Sequence, residues 1–112
     1  MKTKLLQLSH VFALDVYRAS SSFPIAERYA LTTQMRQLAV SVSCSCAVAD
    51  LDAAQEELIE MEYLLILAQD LGYLPADSAR VLFDRATTLQ DRLLRSKADR
   101  RADAEAPPVE VQ

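Results

Sequence analysis

Residues 27–50 read ERYALTTQMRQLAVSVSCSCAVAD, and the reading of this stretch decides the fold. Leu31, Met35, Leu38, Val42 and Cys46 recur at spacings of three and four, the rhythm of one face of an α-helix and not the alternation of a strand. Arg28, Gln34, Arg36 and Gln37 are the main polar interruptions, and from Ala39 to Ala49 there is no charge and no bulky side chain. A helix with small residues on every side has neighbours on more than one side, and small side chains let those neighbours come close. The run therefore predicts a closely packed helix, with Val42 and Cys46 contacting both the rest of the bundle and a second subunit.

Working outward, Leu5, Leu8, Phe12, Val16 and Ala19 form one apolar stripe, which predicts a first helix over 3–21. The SSSFP segment breaks it, because Ser20 to Ser22 compete for backbone hydrogen bonds and Pro24 disfavours α geometry at Phe23. Pro24 suits the first turn of the second helix, placed at 25–49. Asp52 and Gln55 resemble a capping box, so the third helix is placed at 53–71, with Ala54, Leu58, Met61, Leu65 and Ala68 as its stripe and Gly72 as its C-cap. A fourth helix over 75–97 begins near Pro75 or Asp77 and carries Ala79, Leu82, Ala86, Leu89 and Leu93. Beyond Ala98 the apolar period is lost and Pro107-Pro108 ends any helix, so 98–112 reads as a disordered C-terminal tail. Four amphipathic helices with short connections predict an all-α, antiparallel up-down-up-down four-helix bundle.

Composition agrees. The chain has 112 residues, enough for one domain, with one Gly, four Pro and no Asn, too few turn formers for a sheet protein. The net charge of −4 is opposite to the balance a nucleic-acid binder usually needs. Gln7, Ser9 and His10 interrupt the apolar run of a would-be signal peptide, and no stretch is apolar enough for a membrane span, which predicts a cytoplasmic chain. Cys44 and Cys46 point about 200° apart on a helix, so they cannot bridge each other and lack metal-ligand spacing; they read as small filler in a reducing compartment.

Catalytic patterns are missing. His10 is the only His; it is followed by Val11, Phe12 and Ala13, unlike a phosphotransfer histidine, and it cannot supply the two Glu-x-x-His pairs of a di-iron bundle. Glu57 and Glu60 form E-x-x-E without the later E-x-x-D that would share a magnesium ion. There is no phosphate-binding Gly-rich loop. The expectation is a non-enzyme without cofactor or metal. The YLLIL run, Tyr63 to Leu67, sweeps more than a full turn, so Ile59, Tyr63 and Ile66 fall off the main stripe and predict a subunit interface. Charge is segregated as well: Asp50 to Asp70 holds seven acidic residues and no basic one, while Arg80 to Arg101 holds seven basic and three acidic.

The segments FPIAERYALTTQMRQLAVSVSCSCAVAD and LIEMEYLLILAQDLGYL resemble the four-helix-bundle family of 23S ribosomal-RNA intervening-sequence proteins. Phe23, Pro24, Glu27, Arg28, Tyr29, Leu31, Thr32, Gln34, Arg36, Ala39, Val40 and Ser41 match its first motif. Glu60, Glu62, Leu65, Ala68, Asp70, Leu71, Gly72 and Tyr73 match its second. Where the family has Asn-Ile-Ala-Glu-Gly this chain has Ser45, Cys46, Ala47, Val48 and Ala49, and the segment before LIEMEY is shorter than the family's. The resemblance implies a ring-like homo-oligomer, a pentamer in known cases, and a self-assembling structural or interaction module. Accessory proteins of diversity-generating retroelements, also related, imply a second expectation: a nucleic-acid-binding accessory factor using Arg92, Arg95, Lys97, Arg100 and Arg101.

Overall fold

The computed structural model describes residues 3–105, which form α1 (Lys4–Ser20), α2 (Leu31–Ala47), α3 (Leu51–Asp70) and α4 (Ala76–Glu105), with a single 3-10 turn at Ile25–Glu27. Each helix packs on its sequence neighbours, α4 closes back on α1, and the diagonal pairs stand farther apart. The result is the expected up-down-up-down bundle, 21 × 20 Å in cross-section. Phe12, Val16, Met35, Val42, Leu58, Met61, Leu65, Leu89 and Leu93 fill its interior, and Ala39, Ala54, Ala68, Ala79 and Ala86 are buried among them. Alternating large and small buried positions lets side chains interdigitate at close axial separation.

The helix ends have local causes. Thr3 accepts a hydrogen bond from the Leu6 N–H at 3.0 Å and starts α1. Asp50 caps α3 by accepting from the Ala53 N–H at 3.2 Å. At the end of α3 the Tyr73 N–H donates to the Ala68 carbonyl and the Gly72 N–H to Gln69, with Gly72 at φ 80°, a Schellman motif. The end of α2 repeats the motif through Asp50 to Ser45 and Ala49 to Cys46, with Ala49 at φ 59° in the position glycine usually takes.

Three boundaries differ from the sequence reading. The second helix begins at Leu31, not at residue 25. Pro24 leads instead into the 3-10 turn, Ala30 adopts φ −125° and ψ −105°, and the Leu31 N–H reaches the Glu27 carboxylate at 3.4 Å. The cause is tertiary: Phe23 turns inward against Tyr73, ring centroids 5.8 Å apart, and the Tyr73 hydroxyl donates to Glu27 at 3.3 Å. The third helix is capped by Asp50, not Asp52, because the connection from α2 is only Val48 to Asp50. The fourth helix continues through Glu105, so 98–105 of the expected tail is helical; residues 106–112 of that expectation lie outside the described residues. Ala98, Ala102 and Ala104 with Arg100 and Arg101 are strong helix formers, and a helix needs no buried stripe to continue from one already anchored.

Candidate functional site

The exposed apolar residues of α3 form one edge. Ile59, Tyr63 and Ile66 are 52%, 61% and 47% exposed. The Lys97 ammonium fixes which edge it is, because it pairs with Asp52 Oδ1 and donates to Gln55 Oε1, both at 2.6 Å. At helical spacing Asp52, Gln55, Ile59, Tyr63 and Ile66 run along the side of α3 that borders α4. Phe83, Thr87, Gln90, Leu94 and Lys97 run antiparallel along the facing side of α4, with Leu94 also exposed. This seam carries two uncompensated polar groups. Burial pushes the Glu62 carboxyl above its ordinary pKa, and the buried Gln90 Oε1 has no hydrogen-bond partner among the described residues. At the charged end, the hydrogen bond and charge of Lys97 hold the Asp52 carboxyl below its usual range.

Val42 and Cys46 lie elsewhere. They are 0% and 4% exposed, inside the chain's own core, where a second copy does not reach them. The close-packing role expected of them is met by neighbours in the same chain. Burial raises the Cys46 thiol, a hydrogen bond with Ser9 opposes this, and the Glu57 charge adds to the rise, so Cys46 is a neutral thiol and a poor nucleophile. Glu57 also accepts from Ser45 Oγ at 2.6 Å. The outer edge of the same small-residue helix, Val40, Cys44, Ala47 and Val48, is exposed.

The five basic residues expected to act together are divided by the helix. Lys97 is committed to α3, and Arg100 donates to the Ala49 carbonyl at 2.9 Å, clamping α4 to the α2–α3 connection. Arg101 lines a groove there with Asp50 and Asp52. Arg92 and Arg95 face the α1 side, where with Lys4, Leu8, Thr88 and Asp91 they line a groove of about 330 Å³. Nearby on this side, Arg85 pairs with Asp15, which Arg18 also approaches at 3.8 Å.

His10 is exposed, and among the described residues no three His, Cys, Asp or Glu side chains converge as metal ligands would. No described helix is long and apolar enough to cross a membrane. Arg36 ties α1 to α2. The Arg36 guanidinium stacks 4.8 Å from the Tyr17 ring centroid, donates to Ser20 Oγ at 2.8 Å and to the Tyr17 carbonyl at 3.2 Å. Its position on the α1-facing side of α2, four residues before Val40, was the one available signal. Neither a protein-family model nor a curated protein sequence matches this chain.

Proposed function

We propose that this chain is a non-enzymatic, self-assembling bundle that serves as a structural or interaction module in the cytoplasm, related to the ribosomal-RNA intervening-sequence proteins and forming a homopentameric ring. The observation that carries this reading is the edge of Ile59, Tyr63 and Ile66, continued across the seam by Leu94. Large apolar side chains clustered on one exposed edge lose hydration cost when a second surface covers them, and such patches mark interaction sites. Charge supports a head-to-tail contact between the acidic α3 side of one copy and the basic α4 side of the next. Free thiols at Cys44 and Cys46 fit a reducing compartment.

The test is light scattering over a wide range of protomer concentration, with wild type beside Tyr63→Arg. Tyr63 is exposed, so the variant keeps its helical circular dichroism while the mass falls toward the 12.5 kDa protomer. A wild-type mass of 12.5 kDa at high concentration would refute the reading.

A nucleic-acid-binding accessory role is the second reading, favoured by one observation: Lys4, Arg92 and Arg95 share a groove and none is in an ion pair among the described residues. Three phosphate contacts per copy would give log K against log salt a slope of about −2.7 on duplex DNA. A gel shift lost at physiological salt would remove this reading and leave the first intact.

A further inference from the structure

We infer that the pocket between the end of α1, the 3-10 turn and the start of α2 binds a phosphoryl group. The pocket has a volume of about 150 Å³ and is lined by Arg28, Arg36, Ser20, Ser21 and Thr32, with Phe23, Pro24 and Ile25 as an apolar wall. Two arginines, two serines and a threonine line a single space, the serine hydroxyls donating to the Tyr17 carbonyl, and no carboxylate lines it. The nearest acid in the chain segment, Glu27, has both oxygens engaged elsewhere, one by the Tyr73 hydroxyl and the other by the Leu31 N–H.

Two side chains in this pocket are unspent. Thr32 is only 8% exposed, and its hydroxyl, which solvent still reaches, makes no hydrogen bond among the described residues. A hydroxyl open to the pocket and bonded to nothing in the chain is free to donate to a ligand. The Arg28 guanidinium pairs with no carboxylate among the described residues. Arg36, by contrast, is already held in place by Ser20, the Tyr17 carbonyl and the Tyr17 ring, so its remaining N–H groups are preorganised. A fixed Arg, a free Arg and an unbonded hydroxyl form a fork of donors suited to a tetrahedral oxyanion. The combined positive charge favours a doubly charged phosphate over a singly charged carboxylate. The wall of Phe23, Pro24 and Ile25 leaves space for an apolar body attached to that phosphate.

The experiment is an NMR titration of the isotope-labelled full chain with inorganic phosphate, phenyl phosphate and acetate, in a buffer otherwise free of oxyanions. Saturable shifts confined to Arg28, Arg36 and Thr32 are expected with both phosphates. Tighter binding of phenyl phosphate assigns the group to a larger apolar molecule, and equal binding assigns it to free phosphate. Arg28→Gln should weaken binding about tenfold or more, and Thr32→Val by about three- to tenfold. Thr32→Val should not melt lower than wild type in the oxyanion-free buffer, because the hydroxyl it removes has no partner there. Acetate binding as tightly as phosphate, shifts spread over all surface cations or confined to Lys4, Arg92 and Arg95, or a destabilised Thr32→Val would each overturn the inference. None of these outcomes depends on whether the chain assembles.

Discussion

Ala49→Gly should stabilise this protein by about 1 kcal/mol, and the chain contains its own control. The ends of α2 and α3 are closed by the same two backbone bonds, at 2.9 and 3.1 Å in α2 and at 2.9 and 3.0 Å in α3. The residue at the turn is left-handed in both, at φ 59° for Ala49 and φ 80° for Gly72. A left-handed L-residue is strained by roughly 1–2 kcal/mol, while glycine carries an unfolded-state entropy penalty of about 0.5–1 kcal/mol, so the net gain is near 1. Ala49 is exposed, so removing its methyl leaves no cavity. The reverse change, Gly72→Ala, isolates the backbone effect, because a Cβ there meets nothing within 4 Å. It should lose about as much as Ala49→Gly gains, and the double variant should return close to wild type. Urea unfolding followed by circular dichroism at one fixed protomer concentration measures all three, with a melting shift of about 4–8 °C per kcal/mol in a domain of this size. An Ala49→Gly that is neutral or destabilised at unchanged m-value, beside a destabilised Gly72→Ala, would refute the assignment of strain to Ala49.

Two further outcomes follow from burial. Val42→Arg places a charge at a fully buried position, so it should abolish cooperative unfolding instead of merely lowering the assembled mass; a folded monomeric variant would show that Val42 sits at a subunit boundary after all. For Glu62, a native pKa raised above the ordinary value of about 4.3 means the folded state holds its proton longer. Stability therefore falls as pH rises from about 4.3 through the raised value, and the loss persists at neutral pH. Glu62→Gln should match wild type near pH 4 and exceed it at pH 7, read from urea midpoints at both; a less stable variant at pH 7 would mean the ionised carboxylate has a favourable partner.

Most of the bundle was legible because its signal is periodic. Every position of the stripes expected for α3 and α4 is buried, and α3 buries Leu51 and Leu64 beside them. What failed was non-periodic. Pro24 carries the local signature of a helix start, but Phe23, Tyr73 and Glu27 tie that segment into a cap over the bundle, and their partnership spans 46 residues of sequence. The helix past Lys97 is invisible to periodicity because the apolar stripe ends before the helix does. Val42 and Cys46 show a different limit. A sequence reveals that a small-residue face needs neighbours, but not whether those neighbours share its chain. The basic end could have been read better, since 100° per residue already separates Arg92 and Arg95 from Lys97 and Arg101. The pocket at Arg28 and Arg36 left no pattern at all, because a break between the two residues sets their relative placement.

The last eight residues of α4, from Ala98 to Glu105, bury no side chain, and Asp103 and Glu105 sit where the helix dipole disfavours negative charge. Beyond the Arg100 clamp, amide protons should therefore exchange with deuterium almost as in an isolated peptide, whereas those beneath Leu89 and Leu93 await opening of the whole bundle. A fluorophore on Ala104 would thus ride at the quick end of a steep protection gradient, reporting what touches that end while leaving the interior undisturbed.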